Sequence, residues 1–299
     1  MIAAKPCLIA WVSRPKHGSS ASVLVIARPM MHSVILSAVV VPSATVWALI
    51  RTATGSPAAG TPKRSARLQP ATKPLGLSPN CGPRRDGAVP DIIVLHYTAM
   101  PDWTAARDWL CNPDAEVSAH YIVSEQGDVV QLVAEDKRAW HAGAGSWGDV
   151  TDINSRSIGI ELSNNGSSPF AVPLMDALEV LLPAIIDRWA IPASRVIAHS
   201  DLAPGRKIDP GARFDWARLV RSGLAVAATA TRAVTCDADA FVRDARTIGY
   251  TADTDATTLL SAFRLRHRQG HVGPLDGWDC ALAADLAARF PVAKFGRTS

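Results

Sequence analysis

The 299-residue chain is long enough for a sizeable core and for two domains, and its net charge of +4 conceals a strong asymmetry. Residues 1–85 hold eleven Lys and Arg and no Asp or Glu, whereas residues 86–299 hold twenty basic and twenty-seven acidic residues. The basic character therefore belongs to the leader and gives no ground for nucleic-acid binding by the folded part. Five widely spaced cysteines without a C-x-x-C pair point to neither a disulfide framework nor a thiolate metal site.

Residues 1–77 read as a basic, acid-free leader and linker. Within them, residues 33–50 carry no charge and are long enough for a marginal membrane span or a signal-peptide core, so any membrane association would run through them. Pro42 interrupts this run, and Arg51, Lys63, Arg64 and Arg67 follow it, a pattern that would retain the downstream part in the cytoplasm. Two readings stay open: a targeting or anchoring segment, or a stretch that is disordered or translated upstream of a true start. Order is expected to begin near Ser78.

From Asp91 the texture becomes that of a compact α/β domain, expected over residues 78–224. Ile92-Ile-Val-Leu95 is a buried strand by its continuous apolar run, and it delivers His96-Tyr-Thr98 at its end. A short helix follows over Thr104 to Cys111. Ala119 to Val123 and Val129 to Val133 are strands on either side of a turn at Glu125-Gln-Gly-Asp128. Residues Ala142 to Ser155 read as a Gly/Asn/Ser-rich loop, and Ile158-Gly-Ile-Glu-Leu162 as a central strand interrupted by Glu161. Leu174, Leu178, Leu181, Leu182, Ile185 and Trp189 fall on one helix face, with a kink expected at Pro183. A further helix from Asp215 to about Leu224 closes the domain. After a connector over residues 225–236, three short helices are expected within 237–292, marked by Phe241, Ala245 and Ile248, by Leu259, Leu260 and Phe263, and by Leu282, Leu286 and Phe290.

The chemistry concentrates in His199-Ser-Asp-Leu-Ala-Pro-Gly-Arg-Lys-Ile-Asp-Pro-Gly211, where Pro204-Gly205 turns the chain and thirteen residues carry an imidazole, an ammonium and a carboxylate. His199 is expected where the short strand Ser194 to Ala198 opens into loop. His96 stands at the corresponding end of another strand, the edge at which open α/β sheets gather their sites. Together with Asp209 these histidines make a His/His/Asp set that leaves one position of a zinc tetrahedron for water. Glu161, costly to bury among Ile and Leu without a purpose, is the candidate general base, against a structural ion pair. Lys207 is the candidate for holding a developing oxyanion, against a solvated loop lysine.

Five stretches in order, Ile92-Ile-Val-Leu-His-Tyr-Thr-Ala99, Ser118-Ala-His-Tyr-Ile-Val123, Ala139-Trp-His-Ala-Gly143, Ser157-Ile-Gly-Ile-Glu-Leu162 and the His199 to Gly211 loop, resemble the N-acetylmuramoyl-L-alanine amidases of the type 2 class. These are zinc enzymes related to the peptidoglycan recognition proteins, and the resemblance covers residues 78 to about 222. It implies a mixed central sheet flanked by helices, one zinc ion on His96, His199 and Asp209, and catalytic roles for Glu161 and Lys207. The bond cut would join the lactyl group of N-acetylmuramic acid to L-alanine, in peptidoglycan or a muropeptide. By the same resemblance His120 and His141 are not ligands. His120 is expected to be a buried hydrogen-bonding residue. Trp140, His141 and Arg206 are expected to border or contact the substrate, with packing for Trp140 and His141, and bracing of the loop for Arg206, as the competing roles. The C-terminal helices resemble three-helix peptidoglycan-binding modules, and the chain is expected to act as a monomer. Such a module argues for envelope work, while a late start without a signal would argue for the cytoplasm. A silent wall-recognition protein of the same fold is the alternative to the enzyme, and retention of all five residues favours catalysis.

Overall fold

The computed structural model describes residues 78–292, together with the backbone of strands β1 (Ala10–Ser13), β2 (Ala21–Met30), β3 (Ser33–Pro42) and β4 (Lys73–Pro74). The chain divides into two compact units, Met1–Arg67 and Leu68–Ser299. In the first, β1, β2 and β3 form an antiparallel sheet. The other expectations for residues 1–77 lie outside the described residues. Among those described, no helix is long and apolar enough to cross a membrane.

The second unit is built on a mixed sheet of six strands in the order β11-β6-β10-β7-β8-β4. Strands β6 (Ile92–Tyr97), β10 (Ser157–Leu162) and β11 (Val196–Ala198) run parallel with β7 (Tyr121–Val123), while β8 (Val129–Gln131) returns antiparallel across the expected hairpin. A small ribbon of β5 (Cys81–Pro83) and β9 (Lys137–Ala139) lies apart from it in hydrogen bonding.

Because side chains alternate across a strand, β6 and β10 each present two faces. Ile93 and Leu95, with Ile158, Ile160 and Leu162, enter a core covered by helix α3 (Val172–Trp189). Leu174, Leu178, Leu181, Leu182 and Ile185 of α3 are buried there, each contributing roughly 1.5–3 kcal/mol relative to exposure. Helix α3 remains a single helix through Pro183. The ring removes one hydrogen bond, and the buried apolar stripe on both sides of it holds the helix together.

The opposite face takes Ile92 and Val94 of β6 and Ile197 of β11 into a second core. Its other walls are α6 (Ala238–Ile248), α7 (Ala256–His267) and α8 (Gly277–Arg289), which bring Phe241, Phe263 and Leu286. Asp237, Asp255 and Asp276 cap the three helices by accepting backbone N–H groups. The three expected helices therefore share a core with the sheet. A third, smaller cluster joins α1 (Trp103–Leu110), through Ala106 and Leu110, to Ile122, Val130 and Leu132.

Two segments expected as loop contain helical turns. Asp152 caps α2 (Ile153–Arg156), accepting from Ser155 N–H, so the loop over Ala142 to Ser155 ends in a turn. His199 begins α4 (His199–Leu202), because the Asp201 carboxylate accepts the Ala198 N–H at 2.9 Å and turns the chain at once. Helix α5 (Trp216–Arg221) follows near its expected place.

His120 is fully buried beside the sheet. Its Nδ1 accepts the Gly159 N–H at 2.9 Å, so its Nε2 carries the proton and donates to the Lys137 carbonyl at 3.1 Å. The Arg84 guanidinium lies 3.2 Å from the same nitrogen. Burial, reinforced by the Arg84 charge, pushes the imidazole from 6.5 down to about 3, against the backbone hydrogen bond to Lys137. Between those values the unfolded chain binds the proton and the folded chain does not, so stability must fall as pH drops from about 6.5 toward about 3. Denaturant midpoints measured across that range should decline with acidity, and the decline should be shallower in His120→Gln. Identical slopes would show that this imidazole does not govern the acid limb.

Candidate metal and catalytic centre

The register of three parallel strands assembles the centre. Glu161 of β10 pairs with His96 of β6, and Ala198 of β11 pairs with Leu95, so His199 follows at the level of His96. His96, Glu161 and His199 therefore stand side by side at the carboxyl ends of their strands. The α4 turn and the loop after it then bring Asp209 back, fastened by the Ser200 N–H to the Asp209 carbonyl at 3.0 Å.

His96 Nδ1 lies 2.9 Å and His199 Nδ1 3.0 Å from Asp209 Oδ2. These three ligand atoms all fall within 4.8 Å of one another, and all three residues are buried. Counting donors and acceptors assigns the outer nitrogens. His199 Nε2 donates to the Ala142 carbonyl at 2.9 Å, which leaves Nδ1 as a lone pair facing Asp209. His96 Nε2 lies 3.0 Å from His141 Nδ1, and His141 Nε2 lies 3.1 Å from Ser157 Oγ, whose proton goes to the Ile153 carbonyl. Read from that carbonyl backward, every proton in the chain has one place, and it again leaves His96 Nδ1 free. An imidazole whose outer N–H is anchored in this way is fixed in ring orientation and tautomer for metal binding.

Electrostatics agree. Burial first, and then the neighbouring His199, lower His96 to about 4, so it is neutral and able to donate a lone pair. Burial opposes ionisation of Asp209, but the adjoining His199 and His96 rings outweigh it and hold the carboxyl well below the usual range. Two imidazoles and one carboxylate converging on one point form a donor set suited to a divalent cation of intermediate softness.

Glu161 carries a second carboxylate beside this set. Its Oε2 is shielded from solvent, and no hydrogen-bond partner reaches it among the described residues. Burial, and after it the Asp209 charge, push its pKa well up, while Lys207 pulls the other way. Lys207 is exposed at the mouth of the same cleft, a cavity of about 580 Å³ that also holds His96, His199 and Asp209.

The remaining expected site residues divide. Trp140 lines the cleft. His141 lines it too, but both of its ring nitrogens are engaged by His96 and Ser157. Its backbone is held as well, since buried Asn154 accepts the N–H groups of His141 and Ala142. Arg206 braces the loop, donating from Nη2 to the Ala142 carbonyl at 2.7 Å and to that of Ala144, while its side chain still borders the cleft. Sequence reasoning did not assign Tyr97, Met100, Trp109 or Val117 to the cleft wall. Trp109 is 51 % exposed on a helix whose Ala106 and Leu110 face inward, and an aromatic on the outer face of an amphipathic helix is the signal that could have found it.

A buried His/His/Asp set that could hold a metal ion, with a shielded carboxylate and a lysine beside it, stands at the carboxyl edge of a parallel sheet. The family described as N-acetylmuramoyl-L-alanine amidase matches residues 86–212. The chain is 38% identical over 149 residues to N-acetylmuramoyl-L-alanine amidase AmiD of Escherichia coli, covering 44% of this chain and 53% of that protein. It is 34% identical over 159 residues to 1,6-anhydro-N-acetylmuramyl-L-alanine amidase AmpD of Escherichia coli, covering 48% of this chain and 87% of that one. Among solved structures, the complex of AmiD with anhydro-N-acetylmuramic acid-L-Ala-D-gamma-Glu-L-Lys superposes with a TM-score of 0.62 at 31% identity, over 69% of this chain and 92% of that one. AmpDH3 from Pseudomonas aeruginosa gives the same score at 29% identity, over 69% and 94%. The chain belongs to the N-acetylmuramoyl-L-alanine amidase family.

Gly159 is required by the centre. A Cβ there would stand 2.5 Å from His141 Cγ, so the imidazole packs where any other residue would put a side chain. Gly159→Ala should destabilise the protein by about 1–3 kcal/mol in denaturant unfolding, since the ring must be displaced from between His96 and Ser157. A variant with unchanged stability would mean that His141 relocates without cost.

Proposed function

We propose that the protein hydrolyses the amide bond between the lactyl group of N-acetylmuramic acid and L-alanine, in peptidoglycan or muropeptides, with one zinc ion held by His96, His199 and Asp209. The observation that carries this reading is the convergence of three ligand atoms within 4.8 Å, with Glu161 beside them. The complex of the related AmiD with an anhydro-muropeptide supports the same substrate class for this cleft.

The chemistry supplied when an ion is bound is Lewis acidity, which acidifies water and polarises a carbonyl oxygen. The other roles belong to the chain. Glu161 takes the proton of the attacking water, and its raised pKa makes it a stronger base than a solvated carboxylate. The same carboxyl then returns that proton to the departing amine of L-alanine as the C–N bond breaks, leaving a lactyl carboxylate and a free stem peptide. Lys207, at the cleft mouth, offsets the negative charge that develops on the former carbonyl oxygen. Trp140 and Trp109 offer apolar faces to the sugar and peptide. Arg206 keeps the Ala142 to Ala144 loop open beside them. The C-terminal helices, by their likeness to wall-binding modules, add a surface for the polymer.

Mass analysis of products separates the alternatives. Free stem peptide with an L-alanine amino terminus should appear, and should vanish on chelation and in His199→Ala. Fragments cut within the peptide would indicate a peptidase, and stoichiometric wall binding without product would leave only recognition. Glu161→Gln should keep zinc and lose about 100-fold or more in kcat, whereas Asp209→Ala should lose zinc as well. Near-normal turnover in Glu161→Gln would remove that residue from its role.

A further inference from the structure

One buried carboxylate outside the ligand set connects it to the C-terminal helices. Asp201 lies two residues after His199 in α4 and is fully buried. Its Oδ2 accepts the Ala198 N–H at 2.9 Å and Arg266 Nη1 at 2.7 Å, and its Oδ1 accepts the Tyr250 hydroxyl at 2.7 Å. Arg266 belongs to α7 and Tyr250 follows α6, so two of the three donors come from the C-terminal helices. Arg266 is itself buried, with its guanidinium 4.6 Å from the centre of the Trp216 ring.

The four residues of α4 form a single turn and close few hydrogen bonds of their own, so its direction is set by what grips it from outside. The grip falls on the Ala198 N–H, the peptide immediately before His199, through a carboxylate that Arg266 and Tyr250 hold in place. On the other side the Ser200 N–H reaches the Asp209 carbonyl. His199 thus sits between a contact to the second ligand loop and a contact to the helical unit. Leu202, at the end of the same turn, packs into the core shared with α6, α7 and α8.

We propose that the Tyr250–Asp201–Arg266 cluster is a positioning device that aims α4, and with it the His199 imidazole, so that the C-terminal helices form part of the metal centre. This rests on the reading of His96, His199 and Asp209 as ligands. A purely structural role predicts something different, and the same helices contain the control. Arg264, two residues earlier on α7, makes a buried ion pair with Asp279 of α8 and donates to the carbonyls of Gly273 and Pro274. It binds α7 to α8 and to the turn between them, and none of these partners touches α4.

The test uses the full-length chain and the variants Arg266→Met, Asp201→Asn, Tyr250→Phe and Arg264→Met. Zinc affinity is read by competition with a chromophoric chelator, ligand geometry by the visible spectrum of the Co2+-substituted protein, and stability by thermal unfolding. Arg266→Met and Asp201→Asn should weaken zinc roughly tenfold or more and alter the cobalt spectrum. Tyr250→Phe, which removes one hydroxyl and keeps the ring packed, should move both in the same direction by less, and it carries the test if the other two fail to fold. Arg264→Met should lower the unfolding temperature and leave affinity and spectrum as in the parent. Parental zinc affinity and spectrum in Tyr250→Phe and Arg266→Met would overturn the proposal, as would equal weakening in Arg264→Met. A parent chain that binds no zinc would instead overturn the ligand assignment beneath it.

Discussion

The centre depends on the parallel register of β11, β6 and β10. Pairing of Glu161 with His96, and of Ala198 with Leu95, puts two imidazoles and a carboxylate in one row at the carboxyl ends of three strands. A slip of one residue in either pairing would turn the row to the other face, toward the apolar core under α3. Register is held because Ile93, Leu95, Ile158 and Ile160 have nowhere else to be buried. The hydrophobic interior on one side of the sheet therefore specifies the polar arrangement on the other.

A second constraint is proton accounting. In a site this buried an unpaired N–H is expensive, and each outer nitrogen of the ligand imidazoles has an acceptor. His199 ends on the Ala142 carbonyl, and His96 ends through His141 and Ser157 on the Ile153 carbonyl. Both carbonyls lie in the segment between β9 and β10, and Asn154 holds the Ala142 end of it. A stretch without a catalytic side chain thus decides which nitrogens face the centre. Glu161 Oε2 differs, a buried acceptor that no donor reaches among the described residues, at the place where a reacting molecule would supply one.

Much of this was legible in the sequence. His96 and Glu161 announced themselves as polar residues in apolar strands, and His199, Lys207 and Asp209 as functional groups in one turn-rich loop. The α/β architecture and the three C-terminal helices followed from periodicity. What stayed hidden depends on long-range pairing. The seat of the His141 ring stayed hidden because only the folded chain shows that Gly159 leaves space for it beside His96. The α4 turn read as loop because its cap, Asp201, is one polar residue among several, and its partners Tyr250 and Arg266 are distant in sequence. Apolar spacing on α6, α7 and α8 told that they bury a face, and said nothing of the surface that receives it.

The shared core on the far side of the sheet changes how the molecule can be cut or recombined. Composition places a natural seam near residue 225, where a designer would exchange one binding module for another. A join there would strip α6, α7 and α8 from Ile92, Val94, Ile197 and Leu202, leaving the back of β6 and β11 wet. Any replacement module must present a complementary apolar surface to those four side chains. In this chain the sheet and the C-terminal helices are joined by one core.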